Sequence, residues 1–193
     1  MNAISQIITQ QLAGSASKQI ASRLGISEGT ANMAIQIAVP LLLSALARNA
    51  AQPQGAQDLH EAVTNDHDGS ILDNLMGYLG NPESANGSGI LGHVLGQQRG
   101  TAESNLAQAT GLDQGTAGNL MELVAPVVMG AVGRTQQQTG FDSSSLAQYL
   151  GEQQQQAAAA PGMMSVLSSM LDSNQDGSVT DDLSRIAGNF FKQ

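Results

Sequence analysis

Near the C-terminal end, Asp172, Asn174 and Asp176 stand at alternate positions and run straight into Gly177, Ser178 and Val179, within D-S-N-Q-D-G-S-V-T-D-D-L. Hard oxygen ligands at positions 1, 3 and 5, a glycine at 6 for the sharp turn and an apolar residue at 8 are the pattern of an EF-hand-type Ca2+ loop. Ser178 falls at position 7. Position 12 departs from the pattern, because Leu183 stands where a bidentate Glu is expected. Asp181 and Asp182 lie one or two residues early and can supply that carboxylate only in a shifted geometry, so weak affinity is expected. The candidate Ca2+ ligands are therefore Asp172, Asn174, Asp176, Ser178, Asp181 and Asp182. The plain alternative is an Asx turn capping the last helix, for which Asp, Asn, Ser and Gly suffice without metal. An echo occurs at Asp66, Asp68, Gly69, Ser70 and Asp73, with Thr64 in the place of Asp172. It reads as a structural turn and helix cap.

Other chemistries find less support. His60, His67 and His93 form no H-x-x-x-H or H-E-x-x-H pair, so zinc catalysis is not indicated, and His93 in G-H-V-L-G is the one to inspect. There is no G-x-S-x-G elbow, and G-N-P-E-S-A-N-G-S-G lacks a Walker lysine and follows a helix. No cysteine is present, which excludes disulfides and thiolate sites. No catalytic constellation emerges, and the chain is read as non-enzymatic. K-Q-I-A-S-R-L-G-I-S-E-G-T-A resembles a DNA-binding helix-turn-helix, with Ala21, the turn at Gly25 and Ser27 opening a second helix. That second helix offers Glu28, Asn32 and Gln36 but no Lys or Arg before Arg48. With seven Lys plus Arg against sixteen Asp plus Glu, the net charge is −9 and repels phosphate backbones. A helix-turn-helix nucleic-acid binder is the alternative function, and the charge argues against it.

The elements that hold these residues are organised by a repeat. Gly25–Arg48 returns without a gap as Gly111–Arg134, an offset of 86. Gly25, Gly29, Thr30, Ala31, Pro40, Ala45 and Arg48 recur identically, and most other positions keep their apolar character. Such self-similarity implies two copies of one unit. The spacing predicts a helix over the first dozen residues, ended by Gly14, and a short helix capped by Ser15 or Ser17 and closed by Gly25. It then predicts a long apolar helix capped by Ser27, matched by Asp113 in the second copy. Pro40 and Pro126 fall mid-helix and should bend it or break it in two. Ala50–Gly55 reads as a loop, Leu59, Ala62 and Val63 as a short helix, and Ile71–Leu79 as another. G-N-P-E-S-A-N-G-S-G reads as the longest flexible stretch. Helices follow at I-L-G-H-V-L-G, Ala102–Ala109 and Leu146–Leu150, then a Gln/Ala tract at Gln153–Ala160. An apolar helix carries Met163, Met164, Leu167, Met170 and Leu171. Nothing alternates with period two.

The expected fold is all-α: two homologous helical units, 1–100 and 101–193, packed through Pro-kinked central helices as two lobes or one compact body. With 41% apolar residues, no Trp and only three Phe, the core must be built from Ala, Leu, Ile, Val and Met. The apolar runs Ile35–Ala47 and Leu120–Gly133 fall short of the roughly 18 residues of a membrane span. The N-terminus lacks a basic region ahead of an apolar one, so neither a signal peptide nor a membrane span is expected. A cytoplasmic location follows.

L-G-I-S-E-G-T-A-N-M-A-I-Q-I-A-V-P-L-L-L-S-A-L resembles the hallmark of the YidB-like bacterial family, an L-G-[IV]-x-x-x-T-A start leading into an apolar helix with a central Pro. H-D-G-S-I-L-D-N-L, I-L-G-H-V-L-G and D-G-S-V-T-D-D-L are similar to segments of its longer members. The resemblance implies a small helical bacterial protein and brings no activity, cofactor or catalytic residue. The function expected is an interaction or scaffold module with an unidentified protein partner, an acidic surface, Ca2+ at the C-terminal loop and room for a homo-oligomer.

Overall fold

The structure, a computed structural model, describes residues 3–158, and these are all-helical with no strand among them. Helix α1 spans Ala3–Leu12 and buries Ile4, Ile8 and Leu12. Gly14, at φ +67, turns the chain into α2, Ser15–Leu24. Neither serine caps α2 with its side chain; Ser17 instead donates its hydroxyl to the Gly14 carbonyl at 2.9 Å. Gly25, at φ +69, ends the helix in the left-handed conformation that a glycine adopts without a Cβ penalty.

Helix α3, Glu28–Ala50, and helix α8, Gln114–Thr139, form the centre. They open alike. Ser27 Oγ accepts the Thr30 N–H at 3.0 Å, and Asp113 Oδ1 accepts the Thr116 N–H at 2.9 Å, each satisfying one of the donors left free at a helix start. Both run unbroken through their prolines, Pro40 and Pro126, so neither helix is split. Each is long and apolar enough to cross a membrane by length and composition, a test that their short apolar runs alone do not meet. Both are packed inside the fold, with 56% and 78% of the most apolar window buried.

Three connections differ from the sequence reading. Ala50–Gly55 is not a loop: α3 reaches Ala50, and α4, Pro53–Asn65, begins with proline at its first turn, where a missing N–H costs nothing. The segment after α4 is a 3-10 turn, Ser70–Leu72, followed by the short α5, Leu75–Gly80, which leaves Met76 exposed. The Gly-rich stretch is also structured, as a second 3-10 turn, Pro82–Ala85, and then α6, Gly87–Leu95, opened by Asn86 in the left-handed region. Helix α7, Arg99–Thr110, ends at Gly111, φ +72, as α2 ends at Gly25. The Gln/Ala tract extends α9, Ser143–Ala158.

One apolar core draws on every α-helix from α1 to α9, and α3 and α8 contact each other within it. Helix α9 packs on α3 and α4, while α6 and α7 pack on α8. The largest fully buried side chains are aliphatic or Met, among them Ile8, Leu42, Leu106 and Met121. Small residues do the rest: Ala31, Ala34, Ala38 and Ala117 are fully buried and let helix backbones approach closely.

Candidate functional site

The six candidate Ca2+ ligands, Asp172, Asn174, Asp176, Ser178, Asp181 and Asp182, lie outside the described residues, as does the apolar helix expected before them. Their echo is described, and it is a turn. Asp68 Oδ1 accepts the Ser70 N–H at 2.9 Å, an Asx turn, while Gly69 occupies φ +92. The Ser70 N–H and hydroxyl, with a smaller contribution from Arg134, hold the Asp68 carboxyl below the usual range. Arg134 closes the turn from the other side, donating to the Gly69 carbonyl at 2.7 Å and pairing with Asp73 at 2.7 Å. Among the described residues, no three His, Asp or Glu side chains gather as a metal site requires.

This turn is laid across α8 at two glycines. A Cβ at Gly133 would stand 1.8 Å from the His67 carbonyl oxygen, and one at Gly130 would stand 2.4 Å from Ile71 Cγ2. Further along α8, Pro126 has no N–H to give the carbonyl four residues back, that of Glu122. The backbone of Gly87, at the start of α6, lies against that freed carbonyl, where a Cβ would come within 2.0 Å of it. The neighbouring Leu123 carbonyl accepts the buried Tyr78 hydroxyl at 2.9 Å. Burial pushes the Tyr78 phenol well above its ordinary value. Arg99 then ties α7 to α6 and α8, bonding Glu103 at 2.7 Å, Glu122 at 2.5 Å and Ser88 Oγ at 3.0 Å.

Residues 66–95 do not fill all the space they enclose. A cleft of about 680 Å3 and mixed polarity runs beside the turn, lined by Asp66, Asp68, Asn74, Asn86, Ile71 and Tyr78 among others. A second, of about 500 Å3, opens between α3, α4 and α6 and is lined mainly by Leu46, Leu59, Ile90, Val94 and Met129, with Asn49, Asp58 and His93 also lining it. His67, Asn86 and Ile90 line both. Asn49 fixes one wall of the apolar cleft by donating its amide to the Val94 carbonyl at 2.8 Å and the His93 carbonyl at 3.4 Å, which satisfies acceptors at the α6 C-terminus.

The three histidines separate by role. His60 Nε2 lies 3.1 Å from the Phe141 carbonyl, and an acceptor there places the proton on Nε2; it is a structural tie between α4 and the start of α9. His67 is half-buried, and desolvation lowers its pKa against the opposing pull of Asp66. The shift favours the neutral imidazole. His93 lines the apolar cleft. A cleft of this size, mostly apolar with a few polar groups, suits an apolar side chain or small ligand with one or two hydrogen-bonding groups.

The helix-turn-helix candidate falls on α2, Gly25 and the start of α3, with Ala21 buried and Glu28 and Gln36 exposed. Lys18 and Arg23 are exposed on α2, and α3 presents no cation until Arg48. Sequence reasoning found His93 and the D-G-S turn but missed Asn49, Tyr78 and Arg99, whose partners lie 45, 45 and 23 residues away. Ser44 and Ala47 of α3 stand where α8 has Gly130 and Gly133, a sequence signal for where the D-G-S turn rests but not for these three residues.

A family described as a bacterial protein of unknown function (DUF937) matches residues 6–136, which include both Gly25–Arg48 and Gly111–Arg134. The chain belongs to this family. Neither a curated protein nor a solved structure matches it. The DUF937 match takes in the turn, both clefts and their lining residues, and stops short of the Asp172–Asp182 loop.

Proposed function

We propose that this DUF937 protein is a non-catalytic helical interaction module that seats an apolar side chain of a protein partner in the cleft between α3, α4 and α6. The cleft carries the reading: its volume is about 500 Å3, its walls are mostly apolar, and Asn49, Asp58, His67 and His93 supply its polar groups. No nucleophile is hydrogen-bonded to a histidine among the described residues, so the imidazoles serve as hydrogen-bonding groups in this reading. The acidic balance of the chain, −9, supports a soluble module and disfavours nucleic acid. The YidB-like resemblance is a finer assignment within the bacterial family, supported by the motif at Leu24–Leu46. The matching caps at Ser27 and Asp113, and the matching left-handed glycines at Gly25 and Gly111, support two homologous units, each built on a proline-containing central helix. We read those central helices as core helices of a cytoplasmic protein because more than half of each apolar window is buried.

Affinity capture from a bacterial lysate tests this. Ile90→Lys places a charge in the cleft and is expected to abolish capture of a partner that the wild type and Met33→Ser retain, with circular dichroism confirming that all three fold. Equal capture by Ile90→Lys overturns the cleft as the docking site.

A second reading concerns Asp172–Asp182, where the D-x-N-x-D-G order supports a low-affinity Ca2+ loop. Calorimetric titration with Asp176→Ala as control decides it. Heat that disappears in the variant supports the loop, and no heat at millimolar Ca2+ removes it.

A further inference from the structure

The face of α3 that corresponds to the covered face of α8 is only partly covered among the described residues. Met33 is 50% exposed, Ile37, Pro40, Leu41 and Ser44 are half-buried, and Arg48 is exposed. Their spacing puts all six on one side of the helix. The corresponding residues of α8 are Asn119, Leu123, Pro126, Val127, Gly130 and Arg134. Leu123, Pro126, Val127 and Gly130 are buried, and the D-G-S-I-L-D-N-L segment, Asp68–Leu75, contributes to that burial by resting on Gly130 and Arg134.

The chain contains a second segment of the same kind. Asp68–Leu75 reads D-G-S-I-L-D-N-L and Asp176–Leu183 reads D-G-S-V-T-D-D-L, with Asp, Gly, Ser, Asp and Leu kept in register at an offset of 108. The register continues on both sides, through Pro53/Pro161, Leu59/Leu167, Gly80/Gly188 and Asn81/Asn189. The excess of 22 residues over the helix offset of 86 is the length of chain that adds α9, which packs directly on α3 and so brings the chain to that helix before the second segment begins.

We propose that Asp176–Leu183 docks on this partly covered face of α3 as Asp68–Leu75 docks on α8, so that each proline-containing helix is covered by a D-G-S segment contributed by the other half of the fold's repeat. The pairings follow residue by residue. Asp73 pairs with Arg134, so Asp181 pairs with Arg48. Ile71 rests on Gly130, so Val179 rests on Ser44, the smaller side chain meeting the larger helix position. Gly69 holds φ +92 beneath Arg134, and glycine is kept at Gly177. Beyond the turn, Tyr78 reaches the Leu123 carbonyl, and Ile186 stands in its place. An aliphatic side chain there suits Ile37 and the exposed Met33, where α8 has Leu123 and Asn119. Ala47 carries a methyl where α8 has Gly133, so the proposed docking requires Gln175 to keep a greater distance from α3 than His67 keeps from α8. The docking uses Gly177, Val179 and Asp181, and leaves Asp172, Asn174 and Asp176 available to a cation; it rests on neither the cleft nor the Ca2+ reading.

The absence of cysteine makes the test clean. Ser44→Cys and Val179→Cys are introduced together in the full chain and oxidised at low protein concentration, with Val179→Cys plus Gln148→Cys on α9 as the control pair. The expected result is a fast intramolecular disulfide for the first pair, seen as a faster monomer band on a non-reducing gel, and little for the control. Reversing the charge with Asp181→Arg is expected to slow the cross-link severalfold, and adding Arg48→Asp to restore it. Cross-linked dimers in place of the monomer overturn the intramolecular occupant and assign the face to a second copy. A rate equal to the control, or one indifferent to the charge at residue 181, overturns the docking altogether.

Discussion

Helices α3 and α8 begin with the same kind of cap, carry proline at corresponding positions and share an arginine near the end, yet 56% of the apolar window of one is buried and 78% of the other. The difference lies in five side chains and what rests on them. Where α3 has Met33, Gln36, Ser44, Ala47 and an exposed Arg48, α8 has Asn119, Glu122, Gly130, Gly133 and an Arg134 held by Gly69 and Asp73. With no side chain at Gly130 and Gly133, residues 67–71 lie directly on the α8 backbone. The helix with less volume on that face is the one that carries a neighbour, and its proline leaves a carbonyl for that neighbour to meet.

The largest test of this contrast swaps the residue at one corresponding position of each helix. Gly133→Ala should destabilise the fold by about 3 kcal/mol in urea unfolding, because the new carbon meets the His67 and Val63 carbonyls, backbone atoms that cannot swing aside. Ala47→Gly should cost about 1 kcal/mol, the helix-propensity difference. Equal effects would erase the distinction between the two faces. Tyr78→Phe comes next. It removes the donor to the Leu123 carbonyl and should cost about 1–2 kcal/mol, with Ile37, the corresponding α3 residue, unaffected in its amide exchange.

The caps give a smaller and chemically sharper contrast. Ser27→Ala should cost about 1 kcal/mol at any pH. Asp113 caps α8 with a carboxylate whose pKa the Thr116 hydroxyl and N–H hold below 3.8. Its contribution is therefore complete above the unfolded value and is lost as pH falls through the lower folded one. Acid unfolding of Asp113→Ser should be shallower than that of the wild type below that value. The smallest effect belongs to His67. Burial lowers its pKa from 6.5, so the folded state binds fewer protons than the unfolded one. Stability is complete above that value and declines as pH falls toward and through the folded pKa. A thermal midpoint that drops as pH falls below 6.5, with a slope removed in His67→Gln, is the expected reading.

Much of the fold was legible because its punctuation is local. Ser27, Asp113, Gly14, Gly25 and Gly111 all act within three or four residues of themselves, and each does what its type and place imply. The loops were read too generously for the same reason. Gly87 and Gly89 look like flexibility in the sequence, but Gly87 is needed because the Glu122 carbonyl, 35 residues later, occupies the space a side chain would take. Met76 keeps helical spacing with Leu72 and Leu79 yet faces out, since a 3-10 turn shifts the phase of the face before α5 begins. The cleft was half legible. His93 stood out as a polar residue in an apolar run, while Asn49, which holds the wall in place, is one polar residue among several until its partner at Val94 is known.

The glycines and proline of α8 have a consequence for the order in which the molecule is made. Gly115, Gly118, Gly130 and Gly133 each cost the isolated helix about 1 kcal/mol relative to alanine, and Pro126 costs more. Such a segment is a poor helix on its own. Residues 67–95, which complete it, emerge from the ribosome before it does, so its template is already waiting when it is synthesised. Helix α3 carries the same internal proline but only one glycine, Gly29, so its isolated helix is less costly. The later-made helix is the one that needs company, and its company comes first.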